Sequence, residues 1–302
     1  MSLAEAEAKE LRVEGEQLIG RWADARQRLL RNPGAVIGLV LIALFVLVAV
    51  FAPLLAPYDP GQQDLSVIRP GVIPGPSAQH WLGVDQLGRD ILSRIIYGAR
   101  SSLIIGVVAL GFGASVGLTL GALAGAIGGW VDTATMRLMD MMLAIPSLLL
   151  AIGVAAAIGR SLTAVMIAVG VVNVPIFARL LRGSMLSQRE SDYVLAARGL
   201  GVRQSRIVLG HVVPNSIAPV IVQGTLALAT AIIDAAGLTF LGLGSADPGI
   251  PEWGRMLAET QAFLQRAPHL AIFPGLAIVV SVLGFNLLGD GLREALDPKF
   301  RR

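Results

Sequence analysis

The run from Ser101 to Val131, SSLIIGVVALGFGASVGLTLGALAGAIGGWV, carries no charged residue. An α-helix rises about 1.5 Å per residue, so about 20 apolar residues cross the ~30 Å hydrocarbon core of a bilayer. The run is therefore long enough to span a membrane, and it decides the fold class. Working outward, similar apolar runs recur at 34–57, 138–159, 162–186, 214–243 and 271–292, with the first run contributing a span at 101–126. Six such runs in one chain argue against a large soluble helical bundle. The composition agrees, with 54% hydrophobic and only 15% charged residues, well below the roughly one-quarter charged of soluble domains. The expected fold is an all-α polytopic membrane protein with six transmembrane helices.

Six spans return both termini to one side. Arg21, Arg26, Arg28 and Arg31 precede the first span, and Arg293, Lys299, Arg301 and Arg302 follow the last. The polar insert between the fourth and fifth spans, Gln188 to Asn215 (QRESDYVLAARGLGVRQSRIVLGHVVPN), falls on that same side and is also basic. By the positive-inside rule these segments are cytoplasmic. The net charge of +3 is thus read as topology rather than nucleic-acid binding. Residues 58–100, 159–161 and 244–270 fall on the outer side, where acids and bases balance. The expected organisation is a cytoplasmic amphipathic helix within 1–33, a first span at 34–57 and an extracytoplasmic loop at 58–100. A five-helix core at 101–292 then carries the cytoplasmic loop 188–213, and a cytoplasmic tail at 293–302 ends the chain. The N-terminal helix rests on Leu11, Leu18 and Trp22 at helical spacing. Residues 58–80, rich in proline and glycine, read as an irregular excursion.

Within the spans, Gly113, Gly117, Gly121, Gly125 and Gly129 follow one another at intervals of four. That spacing lays them on one helix face, and small-residue faces let backbones approach closely in lipid. Tight helix packing is the expected role; a gliding surface in a transport cycle is compatible with it. Pro146, Pro175, Pro214, Pro219 and Pro274 sit inside or at the mouths of spans and permit kinks. Asp234 is the notable charge inside a span. It is read as a hydrated or paired carboxylate near the outer helix end, with a proton relay as the alternative.

Enzyme chemistry is poorly supplied. The chain holds no cysteine, and its three histidines are scattered. No HExxH pattern occurs, and Leu287-Leu288-Gly289-Asp290 lacks the first glycine of a GxGD motif. Neither Lys9 nor Lys299 follows a glycine, so no Walker A loop is possible and the chain holds no ATP in that way. If transport is driven by ATP, the motor is a separate chain.

The insert carries Leu195-Ala196-Ala197, then Gly201, then Pro214. This spacing resembles the EAA loop of permease subunits of bacterial ABC importers, with Leu195 in place of the usual Glu, His211 in place of Ile and Val213 in place of Leu. Further segments widen the match: His80-Trp81-Leu82-Gly83-Val84-Asp85-Gln86-Leu87-Gly88-Arg89-Asp90, Gly128 to Asp132, Pro146-Ser147, Phe240 to Gly244, Phe285 to Asp290, and the ending Leu292 to Pro298. Together they resemble the dipeptide, oligopeptide and nickel permease family, in the second of its two permease types, over nearly all of Ala35 to Lys299. That resemblance implies a type I ABC importer permease fold in the bacterial inner membrane. It also implies four kinds of partner: a second homologous permease subunit, two ATPase subunits that carry ATP and magnesium, an extracytoplasmic substrate-binding protein, and the lipid bilayer. The EAA-type loop would place a short helix in a groove of the ATPase, with Tyr193, Leu195, Ala196, Ala197, Gly201 and Pro214 as the coupling residues. Gly201 would end that helix and Pro214 would start the next span. Peptides are the expected cargo and nickel the alternative. A self-contained channel or secondary transporter is the competing class, and it would call for internal repeats and intramembrane ion ligands.

Overall fold

The structure, a computed structural model, describes residues 24–68, 72–247 and 249–296. Most of the expected N-terminal helix, with Leu11, Leu18 and Trp22, and the end of the tail from 297 onward lie outside the described residues. Among the described residues, the helices that organise the fold are α1 Pro33–Val50, α2 Ile91–Ile127, α3 Gly129–Ala144, α4 Ser147–Ile158, α5 Leu162–Arg189, α6 Asp192–Gly199, α7 Ala218–Phe240, α8 Trp253–Thr260 and α9 His269–Leu296. Shorter helical turns link them. Among the described residues the only β pairing is two isolated bridges, Gln63 with Arg89 and Val84 with Asp90.

Among the described residues, five helices (α1, α2, α5, α7 and α9) are each long and apolar enough to cross a membrane. Their starts follow local chemistry. Asn32 caps α1 by accepting from the Ala35 amide at 3.1 Å, and Pro33 occupies the first helical position, where no amide is needed. Asp90 caps α2 through the Ser93 amide at 2.7 Å, and Ser161 caps α5 through the Ala164 amide at 3.0 Å.

The structure corrects the expected span at 138–159. That stretch is two helices, α3 and α4, bent by 96°. Pro146 supplies the cause: it lacks an amide hydrogen, and it pushes Ile145 into extended backbone at φ −86°, ψ 129°. At about 24 Å and 18 Å neither piece crosses ~30 Å of hydrocarbon alone, so the pair forms at most one broken span. The second span also differs. It begins at Ile91, ten residues before the expected 101, so the expected outer loop 58–100 closes at Asp90. At 37 residues α2 is about 55 Å long and overshoots the hydrocarbon core. The fifth span begins at Ala218 rather than 214, with Pro219 in its first turn.

The most extensive packing joins α2 to α5; α9 packs on α1 and α7, and α4 packs on α5. Long leucines and valines of α1, including Leu39, Leu44 and Leu47, stay uncovered, as a lipid-facing helix requires. Polar contacts sort into two ends. Asn32 Nδ2 donates to Glu294 at 2.6 Å, and Arg189 donates to the Gly125 carbonyl at 2.7 Å, at the end that carries the 188–215 connector. Arg160 donates to the Gly242 carbonyl at 2.8 Å, and Arg89 reaches Glu259 at 2.9 Å, at the opposite end.

Candidate functional site

The connector between α5 and α7 folds as a compact helical unit around α6. Ser191 starts α6 in extended backbone, with Asp192 in its first turn and Arg198 in its last, both favourable to the helix dipole. The helix ends in a Schellman motif. The Val202 amide donates to Ala197 O at 3.1 Å and the Gly201 amide to Arg198 O at 3.0 Å, with Gly201 at φ +76°. That left-handed position is where glycine carries no side-chain penalty.

α6 has an inner and an outer face. Val194 is fully buried and, with Ala197 one turn on, packs into the cluster of Phe177, Leu181, Met185, Ile207 and Val212. The opposite face leaves Tyr193, Leu195 and Ala196 exposed, followed by Leu200; Leu195 is 50% and Leu200 84% accessible. The Tyr193 hydroxyl donates to Gln188 Oε1 at 2.8 Å, and its ring lies edge-on to His211 at 6.3 Å. Beside α6, Leu200, Val202, Arg203, Arg206 and Leu209 border an open depression of about 730 Å³. A π-helical turn, Val208–Val212, follows and buries Val208 and Val212. Pro214 is exposed in the short helix Val213–Asn215 and does not open the span; Ser216 and Ile217 intervene before α7. The sequence reading named the outward residues but missed Val194, although 194 and 197 stand at helical spacing.

At the opposite end, the His80-to-Asp90 segment forms an ion-paired staple. Asp85 pairs with Arg89 at 2.6 Å and lies 3.7 Å from Arg94; both arginines are nearly buried and reach Glu259 of α8 at 2.9 and 3.3 Å. The Asp85 carboxylate also accepts from the Leu87 and Arg89 amides at 2.9 Å. Gly88 permits the turn, because a Cβ there would stand 2.6 Å from the Asp64 carbonyl. His80 sits with Nδ1 2.9 Å from Asp90 and Nε2 3.6 Å from Asp64. Glu252 caps α8 by accepting from the Gly254 and Arg255 amides, each at 2.9 Å, and burial pushes its carboxyl above the ordinary range. Trp253 locks α8 to α2 by donating to Ile95 O at 3.0 Å. Glu252, Arg255, Glu259 and Arg160 border a cavity of about 390 Å³.

Between the ends, the glycines of α2 face α5. A Cβ at Gly117 would lie 2.5 Å from Val174 O and 2.8 Å from Phe177 Cβ; those at Gly113 and Gly121 would collide with the carbonyls of Gly170 and Ala178, and one at Gly125 would press Met185 at 3.2 Å. Gly129 departs from the expected stripe: α2 ends at Ile127, and Gly129 opens α3 at φ +59° with nothing near its Cβ position. Arg182 donates to Asp132 at 2.6 and 2.9 Å, and Arg179 pairs with Asp140 at 3.1 Å, tying α3 to α5. Both arginines lie inside the expected fourth span, and the sequence reading passed over them. Asp234 is half-buried on α7, and among the described residues no hydrogen bond or ion pair reaches its carboxylate.

A family model described as the binding-protein-dependent transport system inner membrane component matches residues 117–302. A second, the N-terminal TM domain of oligopeptide transport permease C, matches residues 20–70. The chain is 47% identical to the dipeptide transport system permease protein DppC of Alkalihalophilus pseudofirmus over 283 residues, covering 94% of this chain and 91% of that one. It is 46% identical to the di/tripeptide transport system permease protein DppC of Pseudomonas aeruginosa, with 91% of each chain covered. It is 44% identical to the glutathione transport system permease protein GsiD of Pectobacterium atrosepticum, with 93% of this chain and 92% of that one covered. Among solved structures, an inward-facing MetNI methionine ABC transporter aligns at a TM-score of 0.55 and 18% identity, covering 67% of this chain and 96% of that one. At that identity the likeness is one of fold.

Proposed function

Because the chain belongs to the family of binding-protein-dependent transport system inner membrane components, we propose that it forms half of the pore of an ATP-driven peptide importer, with α6 as the handle gripped by an ATPase subunit. The chain is a multi-pass membrane permease of the DppC and OppC type. The observation that carries the coupling role is the division of α6. Val194 binds the helix to the bundle while Tyr193, Leu195 and Leu200 stay exposed on the outer side. An apolar face of this kind suits a helix-in-groove contact.

On this reading the connector end is cytoplasmic, which the arginine distribution favours. ATP and magnesium stay on two ATPase subunits, a second homologous permease completes the pore, and an extracytoplasmic binding protein delivers cargo to the end that holds α8. Peptides are the cargo favoured over nickel, since the relatives at 44–47% identity are named for dipeptides, di/tripeptides and glutathione.

The chain lacks native cysteine, so single cysteines at positions 195–203 give a clean crosslinking test. In the assembled complex they crosslink to the ATPase subunits, which also co-purify with the chain. Transport by the isolated chain, with neither crosslinks nor co-purification, refutes the coupling role. Binding assays on the partner binding protein, with dipeptides and with nickel ion, decide the cargo; nickel binding without peptide binding refutes the peptide reading.

A further inference from the structure

Asp234 is one acid on a stripe. On α7, Gln223, Thr230 and Asp234 stand seven and four residues apart, which places them on one helix face. None of the three is buried by its own chain; Thr230 is exposed and the other two are half-covered. The far flank of the uncovered surface is apolar, with Ile233 and Phe240 exposed. At its connector end the stripe enters a cavity of about 430 Å³, whose lining Gln223 shares with Ser184, Gln188, Asn215 and Arg293. An interrupted polar track, with Leu226 and Ala227 between Gln223 and Thr230, therefore runs from the cavity along the span to a carboxylate about 24 Å from the start of α7. In hydrocarbon such a track is costly, and ionisable groups inside membranes face water-filled paths or partners. Asp234 has neither a cation nor a hydrogen-bond donor against it among the described residues.

We infer that Asp234 faces the translocation path and pairs with the cationic α-ammonium group of the passing peptide. The inference rests on the peptide reading above and goes beyond it by naming the group that reads the cargo's charge. A peptide with a free N-terminus carries its α-ammonium predominantly at about pH 7, whatever its side chains. A single fixed carboxylate therefore recognises the class without selecting a sequence, and the neutral stripe of Gln223 and Thr230 lets the rest of the chain slide.

The test uses the complete transporter in proteoliposomes, with binding protein, ATP and radiolabelled alanyl-alanine as the probe. Wild type imports the dipeptide. Asp234→Asn lowers its initial rate at least tenfold while the second permease subunit still co-purifies, and Asp234→Glu keeps at least a third of it. Asp234→Cys is slow, regains import when a sulfonatoethyl thiosulfonate restores the negative charge, and does not regain it with the trimethylammonium analogue; the unsubstituted complex treated in parallel is the control. Wild-type import with Asp234→Asn within twofold of it overturns this inference alone. Loss of the second permease from the Asp234→Asn complex overturns it in favour of a subunit contact. Failure of wild type to import any dipeptide overturns the peptide reading and this inference with it.

Discussion

Replacing Leu195 and Leu200 together by serine isolates the docking energy of α6 from the stability of the bundle. The two side chains expose 50% and 84% of their surface. Burying a whole leucine is worth roughly 1.5–3 kcal/mol, so seating these two exposed fractions in a groove contributes about 3 kcal/mol. Serine removes most of that. At about 1.4 kcal/mol per factor of ten, the affinity for the ATPase subunit falls roughly a hundredfold. The assay titrates labelled ATPase subunit onto the permease pair in nanodiscs and follows binding by fluorescence anisotropy. A thermal unfolding scan of the permease without ATPase is the internal control, since exposed substitutions usually stay within about 0.5 kcal/mol. An affinity within threefold of wild type, with an unchanged unfolding temperature, refutes the argument that this face seats in the ATPase.

Leu195→Glu restores the residue usual in the EAA motif, yet on an apolar contact it leaves ATPase affinity unchanged or weakens it; a large gain in the same titration refutes that expectation. Gly117→Val puts a branched side chain where a Cβ already lies 2.5 Å from Val174 O, and overpacking costs about 1–3 kcal/mol. Its unfolding temperature in detergent drops, whereas Gly111→Val, with nothing near its Cβ position, does not; equal values for the two refute the close approach of α2 and α5. Burial holds the Glu252 carboxyl above its ordinary 4.5, so the folded chain holds that proton more tightly than the unfolded one. This contribution is fully present below about 4.5 and is lost as pH rises through the folded value. Wild type therefore loses stability over that rise, and Glu252→Gln loses less; parallel curves of unfolding temperature against pH refute it.

The sequence revealed most where the bilayer leaves little choice. A span needs length and apolar residues, so α1, α2, α5, α7 and α9 were visible as runs. Their ends were not, because packing sets them: α2 starts at Ile91, where Asp90 caps it beside the Asp85 staple. Pro146 was visible as a possible kink, but a proline is equally compatible with a gently bent continuous helix, and the 96° turn between α3 and α4 depends on how each piece packs. The stop at Gly201 was legible because a left-handed cap demands little beyond glycine. Val194 was not legible as an anchor because one valine on an eight-residue helix does not show which face the bundle covers. Arg179 and Arg182 were lost inside an apolar average; their acids, Asp140 and Asp132, sit far earlier in the chain, and only the fold brings them together. Gly129 fitted the four-residue interval by count, yet the helix had already ended at Ile127.

The two ends of the bundle differ in a way that bears on transmission. At the end opposite the connector, Asp85, Arg89, Arg94 and Glu259 form a nearly buried network joining the staple to α8, and truncating one member of such a network costs about 3–5 kcal/mol. At the connector end, Val194 of α6 packs into an apolar cluster with Phe177, Leu181 and Met185 of α5 and with Ile207 and Val212 of the connector. On the proposed function a displacement of α6 is passed through this cluster to α5, a 28-residue helix about 42 Å long. Backbone contacts at Gly113, Gly117 and Gly121 leave no room for α5 to slide independently of α2, and the Arg182–Asp132 pair attaches α3 to the same body. On the proposed function, α2, α3 and α5 move as one unit under the ATPase. α7 meets that unit through less extensive contacts, so relative motion concentrates between α7 and that unit. A crosslink between α2 and α5 then leaves transport intact, and one between α5 and α7 across the Gln223 cavity arrests it.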